Sequence, residues 1–297
     1  MSEYRAGFVS FVGRPNVGKS TLVNALVGEK IAITSSKPQT TRRVIRGIRT
    51  EPNGQLIVVD TPGIHRPRTL LGERLNALVQ TTLGDVDVIG FCVPASEAIG
   101  PGDRFICEQI AEHPRARTIA VVTKIDAASK AQIAHQLVAV DGLREWDAVI
   151  PVSAREDRQL DDLVAEVIRL LPPAPAALYP EGDITDESVS DRIAEHIREV
   201  ILERMSDELP HSLAVTLDDI IPRDDSDIID VYANIFVERD SQKAIVIGRG
   251  GAMLREIGSQ VRPTIEQLLG SRVFLSLRVK VAKDWQRDSK QLGRLGF

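Results

Sequence analysis

The chain of 297 residues has two cysteines, few aromatics (4%) and a net charge of only −5. Each scarcity excludes something. Cys92 and Cys107 stand alone, with no Cys-x-x-Cys spacing, so a disulfide framework or a cysteine metal site is not expected, and both read as small core residues. The apolar runs are all of strand length, below the roughly 18 residues that span a bilayer, and the first strand begins too early to leave room for a signal peptide. A cytoplasmic location is expected. The weak net charge argues against a basic coat over the whole surface, while 43% hydrophobic and 27% charged residues are ordinary for a globular protein long enough for two cores.

The average hides a polarity along the chain. Lys+Arg number 21 against 20 Asp+Glu over residues 1–180, 4 against 17 over 181–238, and 12 against 5 over 239–297. A block of −13 is followed by a block of +7. Charge runs are often only solvated faces, so the basic end gains meaning from a motif inside it.

What the first half does contain is Gly13-Arg14-Pro15-Asn16-Val17-Gly18-Lys19-Ser20, a glycine, four residues, then Gly-Lys-Ser. Gly7–Val12 before it has the composition of a buried strand. Leu22, Val23, Leu26 and Val27 after it recur at helical spacing up to Gly28. Strand, glycine loop and helix form a triphosphate cradle: backbone N–H groups and the helix N-terminus face the phosphates, and Lys19 reaches their β and γ groups. The Ser20 hydroxyl then faces Mg²⁺, and Thr21 continues the same turn. The polar stretch Ile31–Arg43 is a loop whose adjacent Thr40 and Thr41 suggest a switch completing the metal shell, without a choice between them.

Pro52-Asn53-Gly54 joins two β-rich runs, Val44–Thr50 and Gln55–Asp60, into a hairpin at the edge of a sheet. The second run delivers Asp60-Thr61-Pro62-Gly63 to a strand C-terminus, where Asp60 can hold Mg²⁺ and the Gly63 N–H can meet a γ-phosphate. Val86–Val93, Thr118–Val122 and Ala148–Val152 are further strands alternating with helix-length segments, the pattern of a mostly parallel α/β sheet. Two of them end in Thr123-Lys124-Ile125-Asp126 and Ser153-Ala154. An aspartate there can accept from N1–H and the exocyclic amine of a purine, and the Ala154 N–H can donate to O6, so the base is expected to be guanine.

These motifs resemble the translation-factor-related GTPases, and within them the Era-like GTPases. The resemblance implies GTP binding and hydrolysis with Mg²⁺. It assigns catalytic roles to Lys19, Asn16, Thr40, Thr41 and Gly63, and metal contacts to Ser20, Thr40, Thr41 and Asp60. By the same resemblance Asn16 is a candidate holder of a K⁺ ion in the place of an arginine finger. Two departures stand out. Thr123 replaces the asparagine of the usual Asn-Lys-x-Asp motif, which puts one purine contact and the fixing of the phosphate loop in question. Ile64 follows Gly63 where some relatives carry a water-orienting glutamine, so unaided turnover is expected in the range of roughly 10⁻⁴ to 10⁻² s⁻¹.

Leu160, Leu163, Val164, Val167, Ile168 and Leu171 form an amphipathic helix that closes the first domain at residue 171. Pro172-Pro173-Ala174-Pro175 opens a linker through residue 186 that reads as a semi-rigid spacer. Residues 187–297 then order as α-β-β-α-α-β, beginning with a Ser188-capped helix and ending in the alternating strand Val273–Val281. Between its isoleucine run and the next helix stands Gly248-Arg249-Gly250-Gly251. Strand order, Gly-x-x-Gly loop and basic block resemble a type II KH RNA-binding domain. The glycines admit a nucleic-acid backbone and about four nucleotides lie in an apolar groove. Lys243, Ile247, Gly248, Arg249, Gly250, Gly251 and Arg255 are the candidate RNA contacts, with Arg262 nearby.

The fold class expected is therefore α/β, a P-loop GTPase domain with a smaller α+β KH domain. The resemblance implies the 3′ end of small-subunit ribosomal RNA as partner, a role in small-subunit assembly, and peripheral association with the inner face of the cell membrane; no DNA partner is expected. The rival readings are an RNA-binding protein whose nucleotide site never turns over, and a GTPase whose KH domain binds protein.

Overall fold

The computed structural model describes the chain except Met1, Ser2, Ser36, Pro38, Gln39, His65, Arg66 and residues 206–208, and the side chains of Pro210 and His211. Three residues of the expected switch loop, Ser36, Pro38 and Gln39, thus lie outside the described residues. The chain divides into two compact units, the first comprising residues 1–34, 41–67 and 72–186, the second 35–40, 68–71 and 187–297.

The first unit is built on a six-stranded sheet. Its strands are β1 (Arg5–Val12), β2 (Ile45–Glu51), β3 (Gly54–Asp60), β4 (Val88–Pro94), β5 (Arg117–Thr123) and β6 (Ala148–Pro151). They lie in the order β2-β3-β1-β4-β5-β6, all pairings parallel except β2 with β3. The hairpin signalled by Asn53-Gly54 therefore supplies the antiparallel edge. Because both faces are covered, β3 and β4 are buried at every position, and apart from Gln55 and Asp60 at the two ends of β3 they carry no polar side chain. One face packs Val9, Phe11, Ile119 and Val121 against α1 (Lys19–Val27) and α5 (Leu160–Leu170) through Leu22, Leu26, Leu163 and Val167. The other packs Phe91, Val93, Ala120 and Val122 against α2 (Leu70–Asp85), α3 (Pro101–Ala111) and α4 (Lys130–Asp141).

The proline-led stretch after α5 is bonded to this unit rather than standing as a spacer. The Ala6 and Ala174 N–H groups donate to the Pro172 and Tyr4 carbonyls, at 3.2 and 2.9 Å. The Gln55 side chain accepts from the N–H groups of Leu178 and Tyr179, and the Ile48 N–H donates to the Ile184 carbonyl along the open edge of β2. An exposed strand edge offers unpaired backbone groups, and the linker's own backbone satisfies them.

In the second unit α6 (Val189–Arg204), α7 (Asp240–Ile247) and α8 (Ala252–Leu269) accompany the sheet β7 (Ala214–Pro222), β8 (Ile228–Val237), β9 (Arg272–Val281). β7 and β8 form an antiparallel hairpin, and β8 reaches parallel β9 through α7 and α8. Ser188 caps α6 by accepting from the Asp191 N–H. Alternate residues Val231, Ala233, Ile235 and Val279 face Ile193, Ile197, Ile257, Val261 and Ile265 in one core. The chain ends in a feature that periodicity does not announce: a short turn at Trp285–Arg287 and the helix α9 (Ser289–Arg294). Trp285 is fully buried, donates to the Ser212 carbonyl at 3.0 Å, and stacks on Phe297 at 5.5 Å.

Candidate phosphate site and glycine loop

All the phosphate-site motifs stand at C-terminal ends of parallel strands: Gly13 after β1, Asp60 closing β3, Thr123 closing β5, and Ser153 after β6. β1 is the strand from which the chain turns to opposite sides of the sheet, the place where open α/β sheets bind ligands.

Gly13 is required by close approach, since a Cβ there would lie 2.6 Å from the Cys92 carbonyl oxygen. Gly18, at φ +101°, takes a backbone conformation that side chains disfavour just as α1 begins. Inside the loop Lys19 is buried and its Nζ donates to the Gly13 and Arg14 carbonyls at 3.0 Å each. Burial pushes its ammonium below the ordinary lysine value, an effect that Asp60 opposes. A Cβ built on Gly63 would sit 3.5 Å from Lys19 Nζ and from the Pro15 nitrogen, so the Asp60–Gly63 turn and the phosphate loop meet at this lysine.

Beside it, three oxygens converge. Ser20 Oγ donates to Asp60 Oδ2 at 2.7 Å and lies 3.0 Å from Thr41 Oγ1, which in turn donates to Asp60 Oδ2 at 3.2 Å. Asp60 is fully buried, and its Oδ1 has no hydrogen-bond partner among the described residues. Burial raises this carboxyl above its ordinary value, against the lowering influence of Ser20, Lys19 and Thr41. An all-oxygen set with a spare buried carboxylate oxygen fits a hard divalent cation. Of the two threonines left open by the sequence, Thr41 joins this cluster; Thr40 does not. The Thr40 hydroxyl donates to the Lys37 carbonyl, and its own carbonyl accepts from Arg198, a buried arginine of the second unit paired with Glu195.

The base side is equally specific. Gly18, Thr21, Thr123, Asp126, Ala154 and Arg155 help line a cavity of about 310 Å³. Ser153 Oγ donates to Asp126 Oδ1 at 2.5 Å and accepts from the Glu156 N–H, so the carboxylate that would read a purine edge is held in place. Lys124, in the left-handed region at φ 56°, donates to the Asn16 carbonyl at 2.6 Å. Thr123 donates to the Val17 carbonyl at 2.7 Å, with the Val93 carbonyl at 3.2 Å as the alternative acceptor. The hydroxyl therefore supplies the tie to the phosphate loop that the missing asparagine put in question. Thr61 and Pro62 are buried. Ile64 is 7% exposed and packed among Val12, Val59 and Phe91, so no polar side chain at that position faces the site.

Sequence reasoning missed Asp103 and Glu97. Arg14, at the tip of the phosphate loop, donates to fully buried Asp103 at 2.8 Å and to Glu97 at 3.0 Å. Asp103 Oδ2 also accepts from the Gly100 N–H at the start of α3, and a Cβ on Gly102 would lie 3.1 Å from Arg14 Cδ. An acidic residue three positions after a helix-opening glycine was a readable capping signal; its reach to Arg14, 89 residues away, was not.

In the second unit Gly248 (φ 72°), Gly250 (φ 58°) and Gly251 (φ 78°) join α7 to α8. A Cβ on Gly248 would meet Met253 Cβ at 2.7 Å and its backbone nitrogen at 2.8 Å. Arg249 is exposed at the loop, Arg255 donates to the Gly250 carbonyl at 3.2 Å, and Lys243 and Ile247 are half-buried on α7. Backbone N–H groups and arginines on a glycine turn suit a phosphodiester chain.

The description "50S ribosome-binding GTPase" belongs to the family model matching residues 8–124, and "KH domain" to the one matching residues 208–286. The GTPase Era of Leifsonia xyli subsp. xyli is 70% identical over 297 residues, and that of Mycolicibacterium smegmatis 60% over 300, each comparison covering all of both chains. Among solved structures, an Era variant from Aquifex aeolicus bound to GDP·AlF4⁻ superposes with a TM-score of 0.94 at 35% identity, covering 98% of this chain and 99% of its own. An Era complex with MgGDPNP and nucleotides 1506–1542 of 16S ribosomal RNA gives 0.93 at 35% identity, covering 99% of each chain.

Proposed function

The chain belongs to the Era family of GTPases, and on that premise we propose that it couples GTP hydrolysis to capture of the 3′ end of small-subunit ribosomal RNA by its KH domain, in small-subunit assembly. The chain is a GTP-hydrolysing enzyme of the P-loop class with a C-terminal KH domain, which sets aside the reading of an idle nucleotide plug. One observation carries the nucleotide part of the reading: Ser20, Thr41 and Asp60 meet beside buried Lys19 at one end of the sheet, while Asp126, fixed by Ser153, stands at the end of another strand there.

In this reading Lys19 and the loop N–H groups from Gly13 to Ser20 bind the phosphates, and Asp126 with the Ala154 N–H selects guanine. Ser20, Thr41 and Asp60 hold Mg²⁺, which when bound neutralises phosphate charge. Thr41 and the Gly63 N–H register the γ-phosphate. With Ile64 buried in the apolar core, nothing at its position orients the attacking water, and unaided turnover is slow. Asn16 is the candidate for a K⁺ contact; its carbonyl accepts from Lys124. The RNA reading is supported by the exposed Arg249 loop, by the +7 block, and by the relative solved with 16S RNA. Cytoplasmic location with peripheral membrane association is proposed from the family alone; no helix among the described residues is long and apolar enough to cross a membrane.

The test is GTP hydrolysis with and without RNA spanning nucleotides 1506–1542 of 16S ribosomal RNA, in potassium and in sodium, together with RNA affinity in a GTP analogue and in GDP. Stimulation by RNA that disappears in Lys19→Ala and weakens in Arg249→Ala is expected. Equal RNA affinity in both nucleotide states would refute the coupling, because a ligand shifts an equilibrium only by its differential affinity.

A further inference from the structure

We propose that the cleft at the end of the KH sheet lined by Arg223, Arg262, Arg272 and Phe274 is a second RNA pocket that stacks one base and holds the adjoining phosphates of a strand continuing from the glycine loop. This rests on the RNA-binding reading above and adds a site outside the Gly-x-x-Gly motif. The cleft encloses about 210 Å³, with Ile228 and Glu266 completing its wall.

Three observations point to a nucleotide. Phe274 lies on the face of β9 opposite to core-facing Val273 and remains 51% exposed, an unusual position for a large aromatic in a chain with so few. The Arg223 guanidinium lies 5.5 Å from the ring centroid, within cation–π range, and is fixed by Asp230 at 2.7 Å. The ring is thereby braced on one side. An aromatic face beside arginines is the recurring platform for single-stranded bases.

Arg262 and Arg272 are exposed and have no ion-pair partner among the described residues. The one carboxylate in the wall, Glu266, accepts from the Val273 N–H at 3.0 Å. Two cations are thus available for phosphates.

The cleft and the glycine loop share a helix: the loop opens α8, and Arg262 of the cleft lies further along it. Arg255 donates to the Gly250 carbonyl, and Arg262 follows it by seven residues, two turns along the same face of α8. A rise of about 1.5 Å per residue separates them by roughly 10 Å. Arg249, Arg255, Arg262 and Arg272 therefore mark one basic track along which a strand longer than the roughly four nucleotides of a KH groove would run.

The experiment compares two probes on the full chain: RNA of nucleotides 1506–1542 and an oligomer of about four nucleotides from its tail. Phe274→Ala with Arg262→Gln and Arg272→Gln is expected to lower affinity for the long RNA about tenfold and to reduce the steepness of its salt dependence by about 1.4. The short oligomer should bind unchanged. Phe274→Tyr, which keeps the ring, should bind both as the unaltered protein does. If the triple variant binds both RNAs normally while Arg249→Ala loses both, the cleft is not an RNA pocket and the RNA reading stands. If the unaltered protein binds neither RNA, the RNA reading fails and the pocket with it.

Discussion

Thr123→Val isolates the tie between the base motif and the phosphate loop. Valine keeps the branched shape of threonine and replaces only the hydroxyl, in a site 3% exposed where water cannot substitute. The change removes a 2.7 Å hydrogen bond and leaves the buried Val17 carbonyl without that donor. An orphaned buried acceptor costs about 1–3 kcal/mol. If the hydroxyl orders the loop ahead of binding, this appears as a roughly 5- to 150-fold rise in the Kd for GTP and GDP. If the loop is ordered without nucleotide, the same energy appears as a lower urea midpoint. Titration with a fluorescent guanine nucleotide and urea unfolding together should recover about 1–3 kcal/mol between them. Thr123→Ser should restore most of it, because the hydroxyl returns. Discrimination between guanine and adenine should not change if, as proposed above, Asp126 reads the base, because that carboxylate is held separately by Ser153. A valine variant with unaltered Kd and midpoint would refute the tether.

Asp103→Asn leaves Arg14 without its buried carboxylate partner; a loss of about 1–3 kcal/mol of stability in urea unfolding and weaker GTP binding are expected, whereas the Glu97→Gln change, at an exposed surface pair, should cost under about 1 kcal/mol. Gly248→Ala forces a Cβ to within 2.7 Å of Met253 Cβ at positive φ, so binding of the 1506–1542 RNA should fall with GTP hydrolysis in the absence of RNA unchanged. Burial pushes the Cys92 thiol up to about 12 and that of half-buried Cys107 to about 11, from 9.0 in each case. The folded chain then holds these protons where the unfolded chain releases them, so unfolding free energy should decline as pH rises above 9.0. Iodoacetamide at neutral pH should accordingly label the unfolded chain far faster than the folded one.

Much of this molecule follows from local patterns whose physics is local. A glycine loop between an apolar strand and a helix needs φ values and close approaches that only glycine permits, as Gly13 and Gly18 illustrate. Asn53-Gly54 sets the β2–β3 hairpin, alternation sets β8 and β9, and Ser188 sets the start of α6. Such signals also place Asp60, Thr123 and Ser153 at strand ends, hence on one side of the sheet.

Contacts between residues far apart in sequence carry no such signature, and only the tertiary structure decided them. Thr40 and Thr41 are equivalent as neighbours in a polar loop; the approach of Ser20 and Asp60 makes Thr41 the member of the oxygen cluster. The prolines after α5 read as a spacer by composition, but the unpaired edge of β2 and the Gln55 amide give that backbone partners. Arg14 with Asp103, and Trp285 with Ser212 and Phe297, likewise depend on where the sheets bring their elements. The sequence by itself determined the sheet strands, the main helices and the residues at their ends, though not the closing helix α9, because backbone conformation and hydrophobic period act over a few residues. The structure decided which hydroxyl, carboxylate and guanidinium meet, because that depends on strand order and on packing across the whole chain.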